Sequence, residues 1–310
     1  MNKKITLLAF LSLSLTVVVA QQDKLITHFI YDKMSINPGE TGIDDGICAT
    51  SLYRNQWDKV NGAPNSALFN VGANLTRFFP GGVGLAFYHD AIAFNRQNNV
   101  LLNYSYPLAL GDAGTLGIGV GVGIINFGMD PTWVPPTSNP DNLLPVKWKS
   151  TNLDMNFGLY FKGNSDYYFG LSSTHLTQSL LEQSTASGNQ SFQTVRHYYI
   201  MGGKKVRNIW GGDLDFQMLL RTEFIKFSGD LNVRYIWRDK LYGGLTYRNV
   251  DAVGLMLGWM PINNMTVGYS YDLTTNKLAS VSRGSHEILL KYCMYLPTPP
   301  ITRANHPRWL

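Results

Sequence analysis

Charge is scarce in this chain. Only 15% of its residues are Asp, Glu, Lys or Arg, against about 25% in an ordinary globular protein. Formal net charge is just +5, too small a surplus to suggest a nucleic-acid partner. Beyond residue 20 there is no run of eighteen apolar residues, so no helix encoded here spans a bilayer. Cysteine is limited to Cys48 and Cys293, a count that fits either an exported membrane barrel or a secreted soluble sandwich. The periodicity of the chain has to separate those two.

Aromatic residues make up 13% of the sequence and glycine occurs 30 times. The chain opens with Lys3 and Lys4, an apolar run from Ile5 to Val19, and small residues at Val18 and Ala20. That pattern predicts an export signal over residues 1–20, cut after Ala20. Gln21 follows instead of a cysteine, so no lipid anchor is indicated there. Loss of Lys3 and Lys4 lowers the formal charge from +5 to +3.

Fourteen segments alternate with a period of two, beginning near residue 48 and ending near 294. Most have the length that a tilted strand needs to cross the hydrocarbon layer, roughly 9 to 11 residues. In DLNVRYIW, Leu231, Val233, Tyr235 and Trp237 share one parity while Asn232 and Arg234 share the other. In TNLDMNFGLYFK, Leu153, Met155, Phe157, Leu159 and Phe161 oppose Asp154, Asn156 and Lys162. DLDFQMLLR sets Leu214, Phe216, Met218 and Leu220 against Asp213, Asp215, Gln217 and Arg221. A charge facing the bilayer midplane costs about 2 to 4 kcal/mol, and one facing a polar lumen costs little. The expected fold is therefore all-β: a closed antiparallel transmembrane barrel of 14 strands over residues 48–295, with Arg54, Asp154, Asp215, Arg234, Arg248, Asp272, Glu287 and Lys291 facing the lumen. The segment GTLGIGVGVGIINF puts aliphatic residues on one parity and Gly117, Gly119, Gly121 and Gly123 on the other. Its glycine face leaves room inside for a plug, a ligand or water.

Alternate connections read as short turns and longer loops, the latter at 128–149, 173–195 and 273–285. In an outer-membrane barrel the long loops face the surface, which predicts both mature ends in the periplasm. The loop 128–149 is proline-rich, with Pro131, Pro135, Pro136, Pro140 and Pro145, and is not expected to continue the sheet. Residues 173–195 are rich in Ser, Thr, Gln and Asn and read as flexible. Residues 21–47 are expected to pack across the periplasmic mouth or into the lumen beside the glycines, with a loose leader as the alternative. The tail, 296–310, carries Arg303, His306, Arg308 and Trp309 after three prolines. It reads either as a periplasmic docking peptide or as a disordered terminus.

Cys48 begins the first strand and Cys293 ends the last, both on inward parity. If the barrel closes first strand on last, a disulfide across the seam and two free buried thiols both fit. Catalytic readings fare worse. HEILL lacks the second histidine of a zinc-protease helix, no Ser/His/Asp set is recognisable, and Gly284 to Glu287 are expected to cap the last strand at the surface rim. GIGVGVG lacks the helix and acidic partner of a dinucleotide loop, and Gly202-Gly203-Lys204-Lys205 misses the phosphate-loop pattern. Six scattered histidines suggest no metal site. No enzymatic chemistry, cofactor or metal is expected.

Four stretches carry a family resemblance: SLYRNQW (Ser51 to Trp57), NGAP (Asn61 to Pro64), GGVGLAFYHD, and YSYDLTTNKLASVSRGSHEILLKY (Tyr269 to Tyr292). Together they resemble the PorP/SprF family of type IX secretion system membrane proteins, over about Gln22 to Tyr292. The resemblance implies an outer-membrane barrel that serves protein secretion, surface attachment or gliding motility, with outer-membrane lipid around it. Its implied partners are periplasmic secretion components or a secreted surface protein. The tail past the last strand departs from the family pattern. A rival reading is a transporter or channel for small, hydrophobic solutes, and an outer-membrane hydrolase is a third.

Overall fold

The computed structural model describes residues 24–131, 146–185, 188–249 and 251–295. The leader over 1–20 and the tail over 296–310 lie outside them. In chain order the strands are β1 (Ile47–Asn55), β2 (Asn65–Asn74), β3 (Gly82–Ile92), β4 (Asn95–Ala109), β5 (Gly114–Met129), β6 (Trp148–Gly163), β7 (Tyr167–Thr174), β8 (Leu180–Thr185), β9 (Gly188–Gln193), β10 (His197–Ile209), β11 (Gly212–Thr222), β12 (Phe227–Trp237), β13 (Leu241–Arg248), β14 (Ala252–Trp259), β15 (Met265–Thr274) and β16 (Ser285–Met294). Fourteen of them form a closed antiparallel barrel, each paired with its neighbours in the wall and β1 closing on β16. Closure leaves no unpaired edge to be exposed to lipid, where an unmet backbone N–H or C=O costs several kcal/mol.

Parity sorts the side chains as charge requires. On β5, Ile118, Val120, Val122 and Ile124 point outward, each 39–48% exposed. Phe157, Leu231, Val233, Leu255 and Ile288 do the same on other strands. Arg54, Asp154, Asp215, Arg234, Arg248, Asp272 and Glu287 are all buried on the inner side. Exposed aromatics ring both ends of the apolar band, with Trp210, Trp237 and Trp259 toward one mouth and Phe224, Phe227 and Tyr247 toward the other, as interfacial girdles do.

Four expectations about connections and strand ends need correction. At one mouth the turns are short, and the segment KVRNIWGG narrows to Trp210 and Gly211, whose φ values of 50° and 80° suit a two-residue hairpin. The opposite mouth carries the long loops but also short joins at 93–94, 223–226 and 249–251. The sequence 173–195 is not a loose loop: β8 and β9 pair there as a separate hairpin. Its apolar residues explain the order, because Leu181 is fully buried and Phe192 stacks on Phe127 at 3.9 Å, beside Trp148. The strands flanking the proline-rich loop are longer than read from sequence, with β5 reaching Met129 and β6 starting at Trp148. Among the described residues, the loop is reduced to 130–131 and 146–147.

The seam aligns Cys48 with Cys293 as direct partners, and a disulfide joins them. Alkylation of the unreduced protein is expected to label no thiol, and reduction to expose two, read by intact mass. On the chain-entropy model the crosslink stabilises by about 5 kcal/mol, so Cys48→Ser should lower the denaturation midpoint measurably. Two labelled thiols without reductant, or an unchanged midpoint, would count against this.

Candidate functional site

Residues 24–46 occupy the lumen and pass through it from mouth to mouth. Lys24 and Leu25 lie at the long-loop mouth, beside Gln56, Ser66, Arg221 and Asn249. Gly46 lies at the short-turn mouth against the backbone of Met294. The first described residue and the end of β16 are therefore at opposite mouths. The mature ends lie outside the described residues; β1 starts at the short-turn mouth, and the residues before it, back to Lys24, ascend the lumen away from it.

The ascent is possible because the wall lacks side chains where the plug turns. Pro38 to Glu40 make a single helical turn, capped by Asn37, whose Oδ1 accepts from Gly39 N–H at 2.9 Å. A Cβ added at Gly117 or Gly119 would collide with Gly39 or Pro38, and one at Gly158 with Asn37. Asn37 Nδ2 donates to Leu159 O at 2.9 Å, and Ser105 Oγ donates to Gly39 O at 2.9 Å. Lower down, Gly42, itself at φ 66°, meets Gly82 backbone to backbone. The glycine face of β5 is a trough for the plug.

Near the long-loop mouth, charge does the holding. Glu287 accepts from the backbone N–H groups of Thr27 (2.9 Å) and His28 (2.7 Å), from His28 Nδ1 (2.7 Å) and from Arg54 Nη1 (3.1 Å). Asp272 accepts from Thr27 Oγ1 at 2.7 Å and pairs with Arg54 at 2.8 Å and Arg248 at 3.5 Å. Arg248 Nε reaches Asp230 at 2.6 Å, Arg221 pairs with the same carboxylate, and Arg221 Nη1 donates to Lys24 O at 2.9 Å. Three arginines thus meet three carboxylates around residues 24–28, and all six charged side chains are at most 2% exposed. Such a set is tolerated only when each charge is paired, and removal of one partner leaves another uncompensated.

Other sites read from sequence fall outside this cluster. Arg234 pairs with Asp215, and its guanidinium lies 4.8 Å over the ring of Tyr31. Asp154 Oδ2 is 2.9 Å from His175 Nδ1. Lys291 lines a chamber of about 50 Å³ between plug and wall with Asp32, Lys33, Glu40 and Asp44. The rim reading of Gly284 to Glu287 is corrected for Glu287, which points inward to the plug because inward parity puts it opposite Arg54; His286 faces out and bonds Tyr269 Oη at 2.7 Å. At the short-turn rim, hydrogen bonds from Arg207 hold the Asp166 carboxyl below its usual range. Arg303, His306, Arg308 and Trp309 lie outside the described residues. Thr27, His28, Asn37 and Gly39 were missed by the sequence reading, since nothing in a non-periodic segment indicates which wall strand it will touch. Arg221 and Asp230 share the inward parity and were available from it.

The fold and this interior define a plugged outer-membrane β-barrel. The chain belongs to the PorP/SprF family of type IX secretion system membrane proteins, whose family model matches residues 18–292. No curated protein matches it. Among solved structures it is similar to the toluene transporter TbuX of Ralstonia pickettii, at 12% identity and a TM-score of 0.53, covering 86% of this chain and 94% of that one. It is likewise similar to the monoaromatic hydrocarbon channel CymD, at 11% identity and a TM-score of 0.52, covering 86% and 93%. At such identities the likeness concerns the fold alone. The protein is an outer-membrane component of the type IX secretion system.

Two substitutions test the plug. Gly119→Leu should displace the turn at 37–40 and make the segment 24–46 cleavable by added protease, while Val120→Leu on the lipid face leaves it protected. Glu287→Ala should cost about 3–5 kcal/mol, the usual consequence of breaking a buried pair, read as a lower denaturation midpoint in detergent.

Proposed function

We propose that the barrel is a non-enzymatic holder in type IX secretion or gliding, which binds a secreted protein at its long-loop, cell-surface mouth and secretion machinery at its short-turn, periplasmic mouth. The observation that carries this reading is the plug: the lumen is filled by the chain's own residues 24–46, packed on backbone and tied by buried ion pairs. An interior built this way suits docking at either end better than passage of solute through the middle. The mouth assigned to the surface also has raised walls, where β5 and β6 run 16 residues each and the β8–β9 hairpin leans on them. A leader over 1–20 removed on export, and a periplasmic tail at 296–310 that meets machinery through Arg303, His306, Arg308 and Trp309, belong to the same proposal.

Deletion of the gene should strip secreted proteins from the cell surface, and complementation should restore them, as read by surface proteomics. A complementing chain that lacks 297–310 should restore the barrel in the membrane but not the surface proteins. In liposomes the intact protein should pass neither ions nor toluene. Sustained solute flux through it, together with unchanged surface proteins in the deletion strain, would favour the channel reading and end this one.

A further inference from the structure

A cavity of about 630 Å³ opens above the start of the plug. Lys24 and Leu25 form part of its lining, together with Trp57, Tyr88, His197, Glu223 and residues of the neighbouring rim. Glu223 and His197 face each other in this lining, with both side chains 2% exposed and His197 Nε2 3.7 Å from Glu223 Oε2. Neither carboxylate oxygen of Glu223 accepts a hydrogen bond, and His197 Nε2 has no partner of its own.

The other ring nitrogen decides what this pair lacks. His197 Nδ1 lies 2.9 Å from the carbonyl oxygen of Val195, and a carbonyl only accepts, so the proton is on Nδ1. Nε2 of His197 and the Glu223 carboxylate thus stand 3.7 Å apart, too far for a direct hydrogen bond, and a buried unmet polar group is costly. The nearby arginines do not supply the donor. Arg221 is held by Asp230 and Lys24 O, and Arg248 by Asp230 and Asp272.

We infer that this vestibule binds a guanidinium group, presented as an arginine side chain by a secreted chain. A guanidinium offers several N–H donors in one plane, so a single group can serve both Glu223 and Nε2 of His197. This rests on reading the long-loop mouth as the one that meets a secreted protein, and it adds the chemistry by which the two recognise each other.

Argininamide is the probe, titrated calorimetrically into the full chain in detergent, with citrullinamide as its uncharged isostere. The expected result is saturable binding of argininamide, none of citrullinamide, and at least tenfold weaker binding in Glu223→Gln. His197→Gln serves as the second variant and should weaken binding severalfold, with heat-dependent gel migration reporting that each barrel is folded. Absence of saturable binding to the unaltered protein, equal binding of both probes, or unchanged affinity in the folded variants would overturn the inference. Such failure leaves the holder reading intact, because that reading is judged by the surface proteins of the deletion strain.

Discussion

Hydrocarbon offers no partner to an ion or to a bare peptide group, and most of this architecture follows from that. Backbone groups are satisfied only if the sheet closes on itself, which sets β1 against β16. Side chains then divide by parity, and the arginines and carboxylates of the wall are driven to the inside, while Lys204, on the outward parity of β10, reaches back to the rim carbonyl of Ser165. Concentrating arginines and carboxylates in a narrow lumen creates a second demand, since charges removed from water must be paired there. The plug answers part of it. Thr27 and His28 bring two backbone N–H groups, a hydroxyl and an imidazole to Glu287 and Asp272, donors that the wall strands do not provide in sufficient number.

The plug and the glycine-rich strand are complementary features of the sequence. Gly117, Gly119 and Gly158 are far from Asn37, Pro38 and Gly39 along the chain, and each set is intelligible only with the other. Glycine inside a strand weakens it by loss of packing and gain of unfolded entropy. Here that cost is offset by close approach of two backbones, with Ser105 and Asn37 supplying hydrogen bonds across the contact. An aliphatic residue at the same parity would fill the trough and leave the plug no seat.

The barrel was legible in the sequence because its determinant is local: a period of two, written in every strand by the opposition of Leu231 and Arg234 or of Leu153 and Asp154. The lumen-facing residues followed from parity alone. The path of residues 24–46 did not, since an irregular segment has no period and its contacts are all distant in sequence. The β8–β9 hairpin escaped for a different reason. Its composition is polar, and Leu181 and Phe192 hold it in place, two residues whose significance depends on their packing against Phe127 and Trp148. The pair Glu223 and His197 was equally hidden, because one follows β11 and the other opens β10, and they meet only through the pairing of Tyr198 with Thr222.

Closure and plugging share a strand. β16 supplies the backbone that seals the seam, Cys293 that is bonded to Cys48, and Glu287 that anchors residues 27–28. Its partner β1 continues directly from the plug and contributes Cys48 and Arg54 to the same three tasks. Inward parity and antiparallel register make this arrangement: Cys48 faces Cys293 at one end of the seam, and Arg54 faces Glu287 at the other. The last interactions that fix the plug are therefore completed only when the first and last strands meet. A barrel open at this seam would separate Arg54 from Glu287 and Asp272, so the buried ion pairs around residues 27–28 are complete only in the sealed wall.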